Sequence, residues 1–205
     1  MDSLLFPMMG FARHRLGIDG PGVTTLVAAS GCPLKCRYCL NRQCWDPDVT
    51  IRLVTPEALY DMAGVDDLYF QATGGGVTFG GGEPLVHAPF IRAFHALCND
   101  RWRIMAETSL NVPTVNVCIA AGCVDGFIVD IKDMNPEIYR KYTGADNALV
   151  TQNLQALLAM VGPERITVRV PRIPGFNTAE DVDYSVSTLK DMGITKLDVF
   201  TYRVE

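Results

Sequence analysis

Cys32, Cys36 and Cys39 stand at a C-x3-C-x2-C spacing in the stretch Gly31-Cys-Pro-Leu-Lys-Cys-Arg-Tyr-Cys-Leu-Asn41. Three thiolates on one loop can hold three irons of a [4Fe-4S] cubane. The fourth iron then has no protein ligand and is open to a substrate or cofactor. Zinc sites more often show paired C-x2-C hooks or distant His ligands, and ordinary ferredoxins supply four cysteines per cubane. Neither pattern matches. Cys44 lies close enough to the loop to be a fourth ligand in principle, but its ordinary reading, like that of Cys98, Cys118 and Cys123, is a buried or surface thiol. The Cys118/Cys123 spacing is too wide for a hook and has no second pair nearby.

Two further groups carry chemistry. In Gly81-Gly82-Glu83-Pro84 the glycines let backbone amides and carbonyls approach a ligand, and Glu83 can hold a cation such as an amino group; the same string also reads as a turn. Asp130 ends an apolar run, where an unpaired charge would be costly, so it needs a partner. His14, His87 and His95 lack ligand spacing to one another and read as surface or helix residues.

The elements that must position these residues follow from apolar runs alternating with amphipathic stretches, the pattern of βα units on a parallel sheet. Predicted strands are Val23–Ala29, Gly76–Phe79, Arg103–Glu107, Gly126–Ile131, Ile166–Val170 and Lys196–Tyr202. Predicted helices are Thr55–Met62, with Thr55 as cap and Pro56 in the first turn, Ala88–Cys98, Val112–Ala121 closed by Gly122, Asn135–Thr143, Asn147–Met160, and Ala179–Met192 ended by Gly193. Six such units cannot close as an eight-stranded barrel does. The expected fold is α/β, a partial (β/α)6 TIM-like barrel open on one side. Loops after the strands build the site in such folds, and the cysteine loop follows the first strand.

The 205 residues, 48% hydrophobic and 20% charged, suit one domain with a sizeable core over residues 1–205. A net charge of −5 argues against a grip on nucleic acid, which needs a basic face. Met1 to Gly10 lacks a basic leader region, and no window has the length of a membrane span. Seven cysteines, three of them crowded together, point to a reducing compartment and a cytoplasmic protein with no membrane partner.

With these motifs in order, the chain resembles the radical S-adenosylmethionine (SAM) enzymes. Tyr38 before the third cysteine fits their cluster motif. Asp19-Gly20-Pro21-Gly22, the run Gly75 to Leu85, Asp130-Ile131-Lys132-Asp133-Met134-Asn135 and Ile173-Pro174-Gly175-Phe176 are similar to the glycyl-radical-enzyme activating enzymes, over residues 17 to about 202. The resemblance implies a [4Fe-4S] cluster on Cys32, Cys36 and Cys39 whose unique iron is chelated by SAM, with reductive cleavage to methionine and a 5′-deoxyadenosyl radical. It implies that Gly81, Gly82 and Glu83 hold the SAM amino group. Asp130 and Lys132 would contact the ribose or carboxylate, Tyr38 and Asn41 would lie near the adenine, and Arg169 would point into the active-site mouth. It further implies a monovalent cation held by Glu107, Thr108, Asp130 and the Ile128 carbonyl, although the family commonly has Asp where this chain has Glu107. Lys132 also reads as a solvated surface lysine, Arg169 as half of a structural ion pair, and Asn41 as a turn cap. Arg203 stands where the family often has a His.

The implied activity is formation of a glycyl radical on a partner enzyme, with a flavodoxin or ferredoxin-type electron donor and a monomeric activase. The alternatives are a radical SAM enzyme acting on a small molecule such as a deazapurine, and an electron-transfer Fe–S protein without SAM. The last would need neither the Gly-Gly-Glu string nor Asp130.

Overall fold

The computed structural model describes residues 4–202. Its strands are β1 (Phe6–Leu16), β2 (Val23–Ala29), β3 (Arg52–Val54), β4 (Gly76–Gly81), β5 (Arg103–Thr108), β6 (Gly126–Asp130), β7 (Ile166–Arg172) and β8 (Lys196–Thr201). They form one sheet in the order β3-β1-β2-β4-β5-β6-β7-β8. From β2 to β8 every neighbouring pair is parallel. These six are the strands expected from sequence, and β3 and β8 end the sheet without pairing to each other, so the barrel stays open. Gly-Phe-Ile-Val in β6 is buried residue after residue, because a parallel strand is covered on both faces and reads as a continuous apolar run.

The helices are α1 (Pro56–Gly64), α2 (Asp67–Thr73), α3 (Ala88–Cys98), α4 (Thr114–Ala121), α5 (Pro136–Thr143), α6 (Ala148–Val161) and α7 (Ala179–Asp191). Their ends follow local chemistry. Thr55 Oγ1 accepts from Ala58 N–H at 3.2 Å, Thr178 and Asp181 form a capping box, and Gly144 ends α5 in the left-handed region at φ 80°. Among the described residues, no helix is long and apolar enough to cross a membrane.

Three elements were not expected. β1 runs antiparallel to both β2 and β3; Pro7 and Gly10 interrupt its strand signal, and its register shifts between Met8 and Gly10 and again between Ala12 and Arg15. β3 has three residues and α2 seven, too few to show a period. Helix α4 starts at Thr114 rather than Val112 because Pro113 precedes its first turn.

β1 nevertheless belongs to the core. Phe6 is fully buried and meets Phe79 of β4 at 5.5 Å and Phe90 of α3 at 5.1 Å between ring centroids. At its other end a buried carboxylate fastens β1 to the start of α2. Asp66 accepts from Arg13 Nε at 2.8 Å and Arg13 Nη2 at 2.6 Å, lies 2.9 Å from His14 Nε2, and accepts from Thr25 Oγ1 at 3.3 Å. The Arg13 hydrogen bonds outweigh burial and hold its carboxyl below the ordinary range. A lowered folded-state value gives stability that is present above the unfolded value, about 4, and is lost as pH falls through the folded one. Asp66→Asn should therefore cost on the order of 2 kcal/mol at pH 7. Urea unfolding at a series of pH values should show a steeper acid loss in the wild type than in this variant.

Candidate active site

The chemistry of the site depends first on how the cysteine loop is held. Gly82 N–H donates to Ala29 O and Glu83 N–H to Gly31 O, both at 2.9 Å, so the chain after β4 runs tight against the chain after β2. This approach requires glycine. A Cβ at Gly82 would overlap the Gly31 carbonyl, and Gly81 has φ +89° with Ala28 packed against it. Asn41 Nδ2 donates to Gly81 O at 2.9 Å, fastening the far side of the loop to the same strand end. Trp45 Nε1 donates to Cys32 O at 3.0 Å, Gly31 N–H to Cys44 O at 2.9 Å, and Lys35 N–H and Arg37 N–H to Thr143 O and Tyr142 O of α5 at 2.9 and 3.1 Å.

Held in this way, Cys32, Cys36 and Cys39 are all half-buried and line one cavity of about 430 Å³ with Asn41, Gly81, Gly82, Glu107, Thr108, Asp130, Lys132 and Arg169. The cavity lies at the carboxyl ends of β4 to β7, where parallel α/β folds place their sites. Among the described residues, no three His, Cys, Asp or Glu side chains gather closely enough for a single metal ion. The three thiols fit a cubane, in which each thiolate takes a different iron, better than a mononuclear zinc site. Burial pushes the Cys32 thiol up to about 12 and the Cys36 thiol up to about 11. Such thiols ionise only beside added positive charge, which bound iron supplies. Cys44 is buried in the 3-10 turn Arg42–Trp45, its carbonyl engaged with Gly31; Cys98 and Cys123 are buried and Cys118 is exposed.

The charged residues of the cavity are paired. Strand register sets Asp130 opposite Arg169 and Arg169 opposite Asp198. Lys132 is buried; its Nζ lies 3.1 Å from Asp130 Oδ2 and 3.3 Å from Tyr202 Oη. Burial opposes its charge, but Asp130 and its other neighbours hold its pKa well above the ordinary value. It is not a surface lysine. Arg169 Nη1 donates to Glu107 Oε1 at 2.8 Å and Arg169 Nη2 to Ile18 O at 3.0 Å. The ion pair and the position at the cavity wall thus coexist.

Two groups of expected site residues are engaged within the protein itself. Glu83 does not face the cavity with a free carboxylate. It is buried and accepts from Thr108 Oγ1 at 2.7 Å, Ser109 N–H at 2.8 Å, Ser109 Oγ at 2.6 Å and Leu85 N–H at 3.2 Å. These donors fill the acceptor positions an amino group would need. The proposed cation ligands are likewise committed: Glu107 to Arg169, Thr108 to Glu83, and Asp130 to Lys132. Ile128, whose carbonyl was the fourth expected cation ligand, lines a second cavity of about 560 Å³ beside Gly126 and Thr167. Tyr38 packs edge-on against Phe176 at 5.5 Å and Tyr142 at 6.1 Å. Arg203 lies outside the described residues.

Sequence reading missed Ser109, Tyr202 and Asp198. Ser109 follows Thr108 directly after a strand, a hydroxyl pair at the site's end of the sheet; Tyr202 and Asp198 carry no local signal. Asp133 was quoted only as part of a motif. Its carboxylate accepts from Asn177 Nδ2, Ser185 Oγ and Asn135 N–H, which holds the chain after β6 in place.

The family profile described as "Radical SAM superfamily" matches residues 26–189. The chain is 26% identical to the indoleacetate decarboxylase activating enzyme of Tractidigestivibacter scatoligenes, over 98% of this chain and 84% of that protein. It is 30% identical to the pyruvate formate-lyase-activating enzyme of Staphylococcus epidermidis, over 78% of this chain and 66% of that one. Among solved structures, Streptococcus suis SuiB bound to S-adenosylmethionine superposes with a TM-score of 0.67 at 13% identity, covering 88% of this chain and 40% of SuiB.

The bonding of Glu83 yields a direct expectation. Glu83→Ala strands the Thr108, Ser109 and Leu85 donors and should destabilise the fold by about 3 kcal/mol, lowering the thermal midpoint, while Glu83→Gln loses less. Full thermal stability in Glu83→Ala with weakened SAM binding would mean that the carboxylate reaches the cofactor.

Proposed function

The chain belongs to the radical SAM superfamily, and from that premise we propose that it abstracts a hydrogen atom from a backbone glycine of a partner enzyme, leaving a glycyl radical there. The observation that carries this reading is the likeness, over most of the chain, to two enzymes named for activating an indoleacetate decarboxylase and pyruvate formate-lyase. The open sheet supports it, because a loop of a protein substrate needs a wide entry.

When bound on Cys32, Cys36 and Cys39, a [4Fe-4S] cluster supplies the electron that cleaves SAM to methionine and a 5′-deoxyadenosyl radical. The protein's own part is to bind and orient. The Gly81 and Gly82 backbone forms the wall beside the cysteine loop, suited to the SAM methionine end. Asp130 is positioned to accept from a ribose hydroxyl, and the buried Lys132 ammonium to meet a carboxylate. Arg169 keeps positive charge beside Glu107, so this reading uses the guanidinium where the family resemblance implied a bound cation. Tyr38 and Asn41 act by packing and by clamping the loop. Leu34 and Leu40 line the same cavity and help to keep water from the reacting centre.

The reading extends to a single catalytic domain and a cytoplasmic, anaerobic setting. A flavodoxin or ferredoxin-type protein is the proposed donor, and the activase is monomeric. Two measurements test it. Cys36→Ala, reconstituted anaerobically, should lose both iron–sulfur absorption and SAM cleavage. The reduced wild type, incubated with SAM and candidate glycyl-radical enzymes, should give a glycine-centred doublet in electron paramagnetic resonance. SAM cleavage with no doublet across a broad set of partners would instead indicate a small-molecule substrate.

A further inference from the structure

The exposed residues of the cysteine loop are basic. Residues 31–45 hold three cations, Lys35, Arg37 and Arg42, and no acid, in a chain whose net charge is −5. All three are exposed. The loop is held against the end of α5 by the Lys35 and Arg37 N–H groups, and the last turn of that helix adds Arg140 and Lys141, both exposed.

Contacts join these cations into one face. Arg42 Nη2 donates to the Arg37 carbonyl. Lys141 Nζ lies 5.6 Å from the Phe176 ring centroid, and that ring meets Tyr38, the residue after Arg37, at 5.5 Å. Lys35 Nζ stands 4.5 Å over Trp45, whose indole N–H donates to the Cys32 carbonyl. Arg140 is paired with Asp146 at 2.5 Å. Lys35, Arg37, Arg42 and Lys141 have no carboxylate partner among the described residues. Acids near in sequence are placed otherwise: Asp46 Oδ1 accepts from Asp48 N–H, and Glu137 lies in the first turn of α5, at the far end from Lys141. Leu40, 82% exposed, adds an apolar contact directly after the third cysteine.

Like charges gathered on an acidic protein repel one another and do nothing for the fold, but they draw and orient an acidic partner. Their place beside the cysteines says which partner gains from the arrangement. The electron that cleaves SAM must come from outside, and electron transfer slows steeply with distance. In the proposed function the cavity side belongs to SAM and substrate, which leaves the exposed loop as the way in.

We infer that Lys35, Arg37, Arg42 and Lys141 form the docking surface for a small, acidic, low-potential electron-transfer protein. The inference rests on the [4Fe-4S] reading of the three cysteines and deepens the proposed function by placing its donor. In the step itself the donor loses one electron and the cluster gains it, and no bond or proton is exchanged. The side chains act by positioning the donor, not by touching the reacting atoms.

The test follows reduction of the reconstituted protein by reduced flavodoxin, an acidic donor, in stopped flow at increasing ionic strength. Arg37→Glu/Lys141→Glu reverses two charges of the face. Arg92→Glu/Lys190→Glu, on α3 and α7, makes the same change of net charge elsewhere. At equal iron and sulfide content and low salt, the first variant should be reduced about tenfold more slowly than the wild type, and the gap should close in high salt. The second should stay within about twofold of the wild type. Photoreduction with 5-deazaflavin, a small reductant that needs no docking face, should proceed alike in all three. Equal flavodoxin rates at low salt, an equal slowing in the Arg92/Lys190 variant, or an equal slowing with deazaflavin overturns the inference. Should the double reversal lower cluster content, Arg37→Gln/Lys141→Gln replaces it and should slow flavodoxin about threefold; no slowing overturns the inference. A glycyl doublet lost from the first variant under deazaflavin would assign the face to the radical-bearing partner and overturn it as well. A wild type that takes its electron from flavodoxin and cleaves SAM yet gives no doublet refutes the proposed activity alone, a separate failure.

Discussion

Two backbone hydrogen bonds, Gly82 N–H to Ala29 O and Glu83 N–H to Gly31 O, bring the chain after β4 against the chain after β2, and the site is built outward from that contact. Were the two segments further apart, the cysteine loop would lose its tie to β4 and the cavity would lose a wall. Glycine at 81 and 82 permits the approach; Glu83 then ties the same segment to the end of β5 through Thr108 and Ser109. Asn41 closes the opposite side of the loop onto Gly81. Three consecutive residues thus join β2, β4 and β5 at their carboxyl ends, and the three cysteines line one cavity there.

The second feature is charge arranged by strand register. Parallel pairing sets Asp130, Arg169 and Asp198 in one row across β6, β7 and β8, with Glu107 bonded to the same guanidinium. The result is a cavity with paired charges rather than bare ones. A zwitterionic cofactor can exchange partners with such pairs, whereas an isolated buried charge would cost several kcal/mol in the empty protein. The price of burying Lys132 is met in the same way, by Asp130 and the Tyr202 hydroxyl.

Strands β4 and β6 were legible as short runs buried nearly residue after residue, whereas β8, at the sheet edge, is mostly exposed and was legible from the alternation of strand and helix patterns along the chain. β1 was not, because Pro7, Gly10 and two register shifts break its pattern, and its burial depends on Phe79 and Phe90 from distant parts of the chain. Site positions were legible for the same reason that motifs exist: cysteine spacing and adjacent glycines are local. Where the side chains turn was not legible. Nothing near Glu83 in sequence says that Thr108 and Ser109, 25 and 26 residues away, will take up its carboxylate. Nor does anything near Glu107 announce Arg169, 62 residues on. Both outcomes follow from which strand ends lie side by side.

In the proposed function the loop presents three thiolates to a cubane and leaves one iron for SAM. Mössbauer spectroscopy of the protein reconstituted with iron-57, with and without SAM, tests it most directly. A four-iron cluster should be seen in which addition of SAM changes the signal of one iron and leaves the other three as they were. Four irons that are all indifferent to SAM, or a single tetrahedral iron on the three thiolates, would contradict it.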